Sequence, residues 1–345
     1  MKIFAKPGKN GLFFFRISFL CLFFGTYAAV QSGSRDVGIV GPAIQENKPR
    51  TQAHSLEEVV EDKTRLSLEG SQLFPVKPFL VQKDELDSFT RELVAVQWRP
   101  RDLIYLYVML PKGVKTPPIA LYLYSYPSEL ELFRNNQVCH ALTTGGVAAA
   151  GFCSALTGHR YKNRPMKEWF VSELLEAVVL TVHDIEMMLD YLSTREDLDT
   201  SRIGIFGQGS GGTIAILAAA LNPRIKAVEV INPWGSWPDW MRGSTLVPEE
   251  ERANFVRLDY LSQISQLDPL EWLPRLADKP LRLQLILSDP FNPEICLRRI
   301  AKTAPAGAIV NLFPDAQAHA ESFKDGTVFD WIKRTLTNLG AKESR

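Results

Sequence analysis

The chain has 345 residues, 46% of them hydrophobic, with 39 basic and 39 acidic residues and a formal net charge of zero. Set against a short leader, that is material for one large α/β domain. The balanced, interspersed charge argues against nucleic acid as the main partner, and no Cys/His spacing has the form of a zinc site, so no metal is expected.

The N-terminus is basic, and Ile17 to Val30 follows without a charge. This reads as a secretory signal over residues 1–32, with cleavage after Ala28 or Ser32. The run is shorter than the roughly 20 residues of a membrane span. Left uncleaved, it would serve as an N-terminal anchor, the only membrane contact expected. Cys21 has no convincing lipobox. The body is therefore expected in an exported, oxidising location, periplasmic or secreted. Cys139, Cys153 and Cys296 remain, an odd number, and read as buried free thiols.

Residues 33–90 are polar and read as a linker or arm, with a helical stretch at Ser55 to Arg65. The main domain is expected over 91–345. Leu93 to Trp98 and Leu103 to Leu110 are strands of a hairpin around Arg99-Pro100-Arg101-Asp102. A strand at Pro118 to Leu123 leads into Tyr124-Ser125-Tyr126. Leu130 to Thr144 is a helix ending at Gly145-Gly146, and Val147 to Cys153 is the next strand. His159, Arg160, Tyr161 and Arg164 follow that strand's C-terminal end, where ligands approach open α/β sheets. They are either contacts for an anionic substrate group or solvated loop charges. Trp169 to Leu192 is a long apolar helix. Ile203 to Phe206 is a buried strand, followed by a glycine-rich turn and the apolar helix Thr213 to Ala220. Strands at Ala227–Ile231, Leu281–Leu287 and Ala308–Phe313 and a helix at Val328 to Leu336 complete the pattern. Strands alternating with helices call for a mostly parallel sheet covered on both faces. An insertion over 233–276 holds Trp234, Trp237, Trp240, Phe255, Tyr260 and Trp272, which either line a pocket or fill a core.

The turn Gly207-Gln208-Gly209-Ser210-Gly211-Gly212 carries the most chemistry. It formally fits a dinucleotide fingerprint, but it comes late in the chain and Glu229 downstream lies in an apolar run. No P-loop is present, and no cofactor is expected. Strand, tight turn and buried helix are instead the layout of a nucleophile elbow. The stretch resembles the elbow of α/β-hydrolases of the dienelactone-hydrolase and prolyl-oligopeptidase (peptidase S9) type. Two registers are open. With Gly207, Gly211 and Gly212 as the motif glycines, the nucleophile position falls on Gly209, which has no side chain. Shifted by one, Ser210 is the nucleophile and Gln208 replaces the usual small residue. No cysteine occupies the elbow, although dienelactone hydrolases use one.

The resemblance, spanning about Glu92 to Leu339, implies an α/β-hydrolase fold with a small aromatic cap. It also implies a triad in the chain order Ser210, Asp289, His319. The imidazole would take the serine proton and the carboxylate would orient it. Asp289 follows a strand end, where it could equally start a turn with Pro290, and His319 lies in the loop after the last strand. Gly211 with Ser125 or Tyr126 would supply the backbone oxyanion donors. Two functions follow. The first is an exported serine hydrolase cleaving an ester or amide in a small molecule or peptide. The second is a catalytically inactive hydrolase fold that binds a ligand or partner. A structural envelope protein held by its N-terminus is a third.

Overall fold

A computed structural model describes residues 60–126, 130–157, 160, 170–323 and 326–343. The expected signal and most of the expected arm lie outside the described residues, as do His159, Tyr161 and Arg164. The first three strands are β1 (Val76–Glu85), β2 (Phe89–Arg99) and β3 (Asp102–Pro111), followed by β4 (Pro118–Leu123). After helix α1 (Asn136–Thr143) come β5 (Ala148–Gly151), the long helix α2 (Leu174–Ser193) and β6 (Asp199–Gln208). The elbow helix α3 (Ser210–Leu221) and β7 (Ile225–Ile231) lead into the insertion. There four short helices follow one another: α4 (Trp237–Gly243), α5 (Arg252–Phe255), α6 (Leu258–Ile264) and α7 (Pro269–Trp272). The chain closes through β8 (Leu281–Ile286), α8 (Glu294–Thr303), β9 (Ile309–Phe313), α9 (Ala316–Glu321) and α10 (Asp330–Glu343).

The nine strands form one sheet in the order β1-β2-β3-β5-β4-β6-β7-β8-β9. The first three strands pair antiparallel, and β5, β4 and β6 to β9 are parallel. This is the sheet that the alternation of strands and helices predicts. Its parallel strands are apolar on both faces because helices cover both. One face packs on α2 and α3, and the other carries α1 and α10 around Tyr122, Phe206 and Phe329.

Three expectations change. The sheet starts at Val76, inside the segment read as an arm, because β1 pairs along the hairpin strand β2. Residues 60–65 are not helical: Val60 bridges to Gln72, and Glu61 is held by ion pairs. The helix read over Leu130 to Thr144 is a 3-10 turn, Glu131–Arg134, broken from α1 by Asn135, whose side chain caps α1 through the amides of Gln137 and Val138.

Cys139, Cys153 and Cys296 are buried free thiols. Among the described residues no helix is long and apolar enough to cross a membrane, and no group of His, Cys, Asp or Glu is arranged to hold a metal.

Candidate active site

The elbow joins β6 to α3, and its apex is Gly209, with φ 54° and ψ −122°. A side chain in that region is strained, and the strained residue of an elbow is its nucleophile. The two flanking glycines are sterically required. A Cβ on Gly207 would stand 2.7 Å from the Gly212 Cα, and one on Gly211 would stand 2.7 Å from the Tyr124 carbonyl oxygen. A Cβ on Gly212 would touch Pro233 at 3.2 Å. The pattern that folds is therefore Gly207-Gln208-Gly209-Ser210-Gly211, centred on Gly209. In this structure the apex dihedrals fall on Gly209, and Ser210 of the shifted register stands one residue past the apex. A slide by one residue would put Gln208 where the turn admits only glycine.

Ser210 is instead the first residue of α3 and is buried. Its Oγ accepts a hydrogen bond from the Tyr126 amide at 3.0 Å. Tyr126 was expected to offer that amide to an oxyanion, so the Ser210 hydroxyl occupies the donor. The Ser125 side chain fills the other side of the apex. A Cβ on Gly209 would lie 2.9 Å from the Ser125 Cβ and would collide with its hydroxyl, with the Trp234 Nε1 at 3.3 Å. Hydrogen bonds fasten this turn to β7 and to the start of the insertion: Gly209 N–H donates to Ile231 O at 3.0 Å, and the Thr213 Oγ1 hydroxyl donates to Trp234 O at 2.6 Å.

Asp289 follows β8, as expected. Its Oδ1 accepts from Phe291 N–H at 2.9 Å, a turn bond of the kind Asp makes before proline. Its Oδ2 accepts from Asn232 Nδ2 at 2.7 Å. Burial pushes this carboxyl up, against the pull of those donors. Asn232 has a left-handed φ of 44° and also accepts from Ile286 N–H at 2.7 Å. Asn292 donates to the carbonyls of Asn232 and Pro233. Neither asparagine stood out in the sequence. An Asn at the end of a parallel strand, before a proline, was the only cue.

His319 lies in α9 rather than in a loop, 1% exposed. Gln284 Nε2 donates to Glu229 Oε1 at 2.8 Å, so its Oε1 accepts the His319 Nε2 proton at 2.9 Å. His319 Nδ1 is buried with no hydrogen-bond partner among the described residues. The rings of Phe313 and Phe323 stand edge-on to the imidazole, at 4.9 and 4.7 Å between centroids. Burial, aided by the Arg282 charge, pushes His319 down to about 4. It is therefore a neutral imidazole at any ordinary pH. Glu229 lies beneath it on β7, fully buried. Burial outweighs the attraction of Arg282 at 3.3 Å and pushes this carboxyl up to about 8.

No hydrogen bond joins Ser210, Asp289 and His319; each is bonded elsewhere. Arg160 is also committed. It is 4% exposed and pairs with Asp102 and Asp184, each at 2.7 Å, so it is neither a solvated loop charge nor a free anion contact. Three of the insertion's four tryptophans are core: Trp234, Trp237 and Trp240 are each buried and packed in series, with centroids 5.1 and 5.7 Å apart, whereas Trp272 is half-buried beneath the Arg275 guanidinium.

The model of the acetyl xylan esterase family matches residues 178–258, from within α2 through the elbow into the insertion. A curated relative, the alpha/beta hydrolase domain-containing protein WAV2 of Arabidopsis thaliana, is 26% identical over 167 residues. That match takes in 44% of this chain and 51% of the relative, so the chain spans about half of its length. Among solved structures, acetyl xylan esterase 1 from Thermoanaerobacterium sp. JW/SL YS485 has a TM-score of 0.55 at 13% identity, over 75% of this chain and 84% of that one. The acetyl xylan esterase from Paenibacillus sp. R4 has a TM-score of 0.55 at 17% identity, over 78% and 90%. The glucuronoyl esterase from Solibacter usitatus has a TM-score of 0.51 at 15% identity, over 76% and 84%. At these identities the likeness is one of fold.

Proposed function

We propose, from the premise that this chain has the α/β-hydrolase fold, that it is an exported, non-hydrolytic protein of that fold which binds a ligand at its elbow. The observation that carries the reading is Gly209 at the apex, with the Ser125 hydroxyl in the space a nucleophile's side chain needs. An acyl transfer needs an attacking oxygen next to a base. Here Gly209 supplies no such oxygen, no imidazole is bonded to the Ser125 hydroxyl beside it among the described residues, and the His319 imidazole is bonded to Gln284. The acetyl xylan esterase match and the esterase neighbours support a small acyl ester or its acid as the ligand class. The apolar N-terminal run supports export.

The second reading is a serine hydrolase using Ser210, Asp289 and His319, favoured by their order along the chain. It requires Ser210 to leave the Tyr126 amide and His319 to leave Gln284. Turnover of 4-nitrophenyl acetate and acetylated xylan, compared with Ser210→Ala, separates the two. Equal, background rates are expected. A rate lost in Ser210→Ala overturns the non-hydrolytic reading.

A further inference from the structure

We propose that residues 60–66 form a strap on α2, closed by a doubly protonated His183 and released as pH rises. The inference goes beyond the reading of the elbow and does not depend on it.

The strap touches several parts of the body. Val60 bridges to Gln72, and Lys63 pairs with Glu176 in the first turn of α2 at 2.8 Å. Gln266 of the insertion donates to the Thr64 carbonyl at 2.8 Å. Leu66 packs in the core at 5% exposed. The Lys63 pair lies on the surface, where such pairs hold little. The buried polar attachment is at Glu61 and Arg65, and both meet His183.

His183 is fully buried in the middle of α2. Its Nε2 stands 2.9 Å from the Arg65 carbonyl oxygen and its Nδ1 2.7 Å from Glu61 Oε1. A carbonyl oxygen only accepts, so Nε2 carries a proton. Glu61 receives both its oxygens' donors from one guanidinium: Arg99 Nε donates to Oε2 at 2.6 Å and Nη2 to Oε1 at 2.5 Å. That fork takes an ionised carboxylate. Burial opposes the Glu61 charge, but the Arg99 and His183 donors outweigh it and hold the carboxyl below its usual range. An ionised carboxylate only accepts, so Nδ1 carries a proton as well. With both ring nitrogens donating, His183 is a cation.

The surrounding charges agree. Glu61, Asp102 and Asp184 are joined to Arg99, Arg160 and His183 in one set. Its signs balance only when His183 is charged. On the strap's outer side Asp62 pairs with Arg65 at 3.4 Å. Of the helices packed on α2, α3 carries no charged residue, and the one acid of α6, Asp259, pairs with Arg257. Loss of the His183 proton would leave a net negative charge in the interior and a nitrogen lone pair facing an oxygen. The closed strap therefore binds that proton more tightly than the open one does. Closure is complete at acid pH and is lost as pH rises through the titration of His183 in the closed form.

The test follows the ring protons and the strap together in the full chain. Long-range 1H–15N spectra report the His183 ring from about pH 5 to about pH 9, a span that brackets an ordinary imidazole. His183→Gln assigns the signals, and hydrogen-exchange protection factors report the amides of residues 61–66. Two protonated ring nitrogens are expected at the acid end. Protection of the strap should fall by up to about tenfold per pH unit and level off where the second proton leaves. In His183→Gln, which cannot titrate, the step should be absent. Glu61→Gln lets a neutral imidazole accept from the introduced amide, and its strap should show no step either. Where a variant fails to fold, the wild-type chain decides by whether proton loss and strap opening share one midpoint. A ring with a single proton throughout, a proton loss that leaves the strap protected, or a step that persists in His183→Gln overturns the proposal. So does a fall in protection shared by the amides of β6, which would be unfolding of the whole domain.

Discussion

Gly209 and its two neighbouring glycines differ in what they tolerate. Gly207 faces backbone, whereas Gly209 faces the Ser125 side chain, which can rotate away. Gly207→Ala should therefore destabilise more than Gly209→Ala, whose cost is the positive φ, about 1–3 kcal/mol, plus the Ser125 collision. Adding Ser125→Gly to Gly209→Ala should recover the collision part but not the dihedral part, as a double-mutant cycle in urea would reveal. Additive effects would mean that Ser125 does not fill the apex. The motif's glycines and the ambiguity of its register were legible in the sequence. Which register folds was not, because it depends on the Leu123–Tyr124 backbone lying against Gly211, a contact between distant segments.

Among the elements, the parallel strands were legible because each is a continuous apolar run between turns. Strand β1 was not: its side chains are mostly exposed and its pattern mixes Lys, Pro and Gln with Phe and Leu. Only the neighbouring β2 makes it a strand. The placement of α9 was equally hidden, since nothing local tells that His319 turns onto Gln284. Helix α2 is tied to the chain's early part by a buried charge network. Asp184 is fully buried and pairs with Arg99 and Arg160, while Arg99 also holds Glu61, and Glu61 meets His183 at 2.7 Å. Asp184→Asn would leave two guanidinium groups short of a partner in the interior, and a loss of about 3–5 kcal/mol is expected in chemical denaturation. A loss below 1 kcal/mol would show that solvent reaches the network.

At the scale of the molecule, two buried groups shape stability against pH in opposite directions. His319 is depressed to about 4 from its usual 6.5. The unfolded chain therefore takes up a proton that the folded chain refuses, and stability falls as pH drops from about 6.5 to 4. The full effect is on the order of 3 kcal/mol. Glu229 is raised to about 8 from 4.5, so the unfolded chain loses its proton first and stability falls as pH rises towards 8. Glu229→Gln should flatten the decline between pH 6.5 and 8, measured by thermal unfolding; an unchanged slope would mean that the folded protein ionises Glu229 beside Arg282. Both groups tie the sheet to the helices that cover it, His319 from α9 to Gln284 and Glu229 to the Ile332 amide of α10. That is consistent with an elbow whose apex has no nucleophile. The most direct measurement is intact-mass analysis of the purified protein after excess fluorophosphonate, a probe that bonds only to activated serines. The account predicts no added mass on folded protein. One stoichiometric adduct, absent from Ser210→Ala, would contradict it.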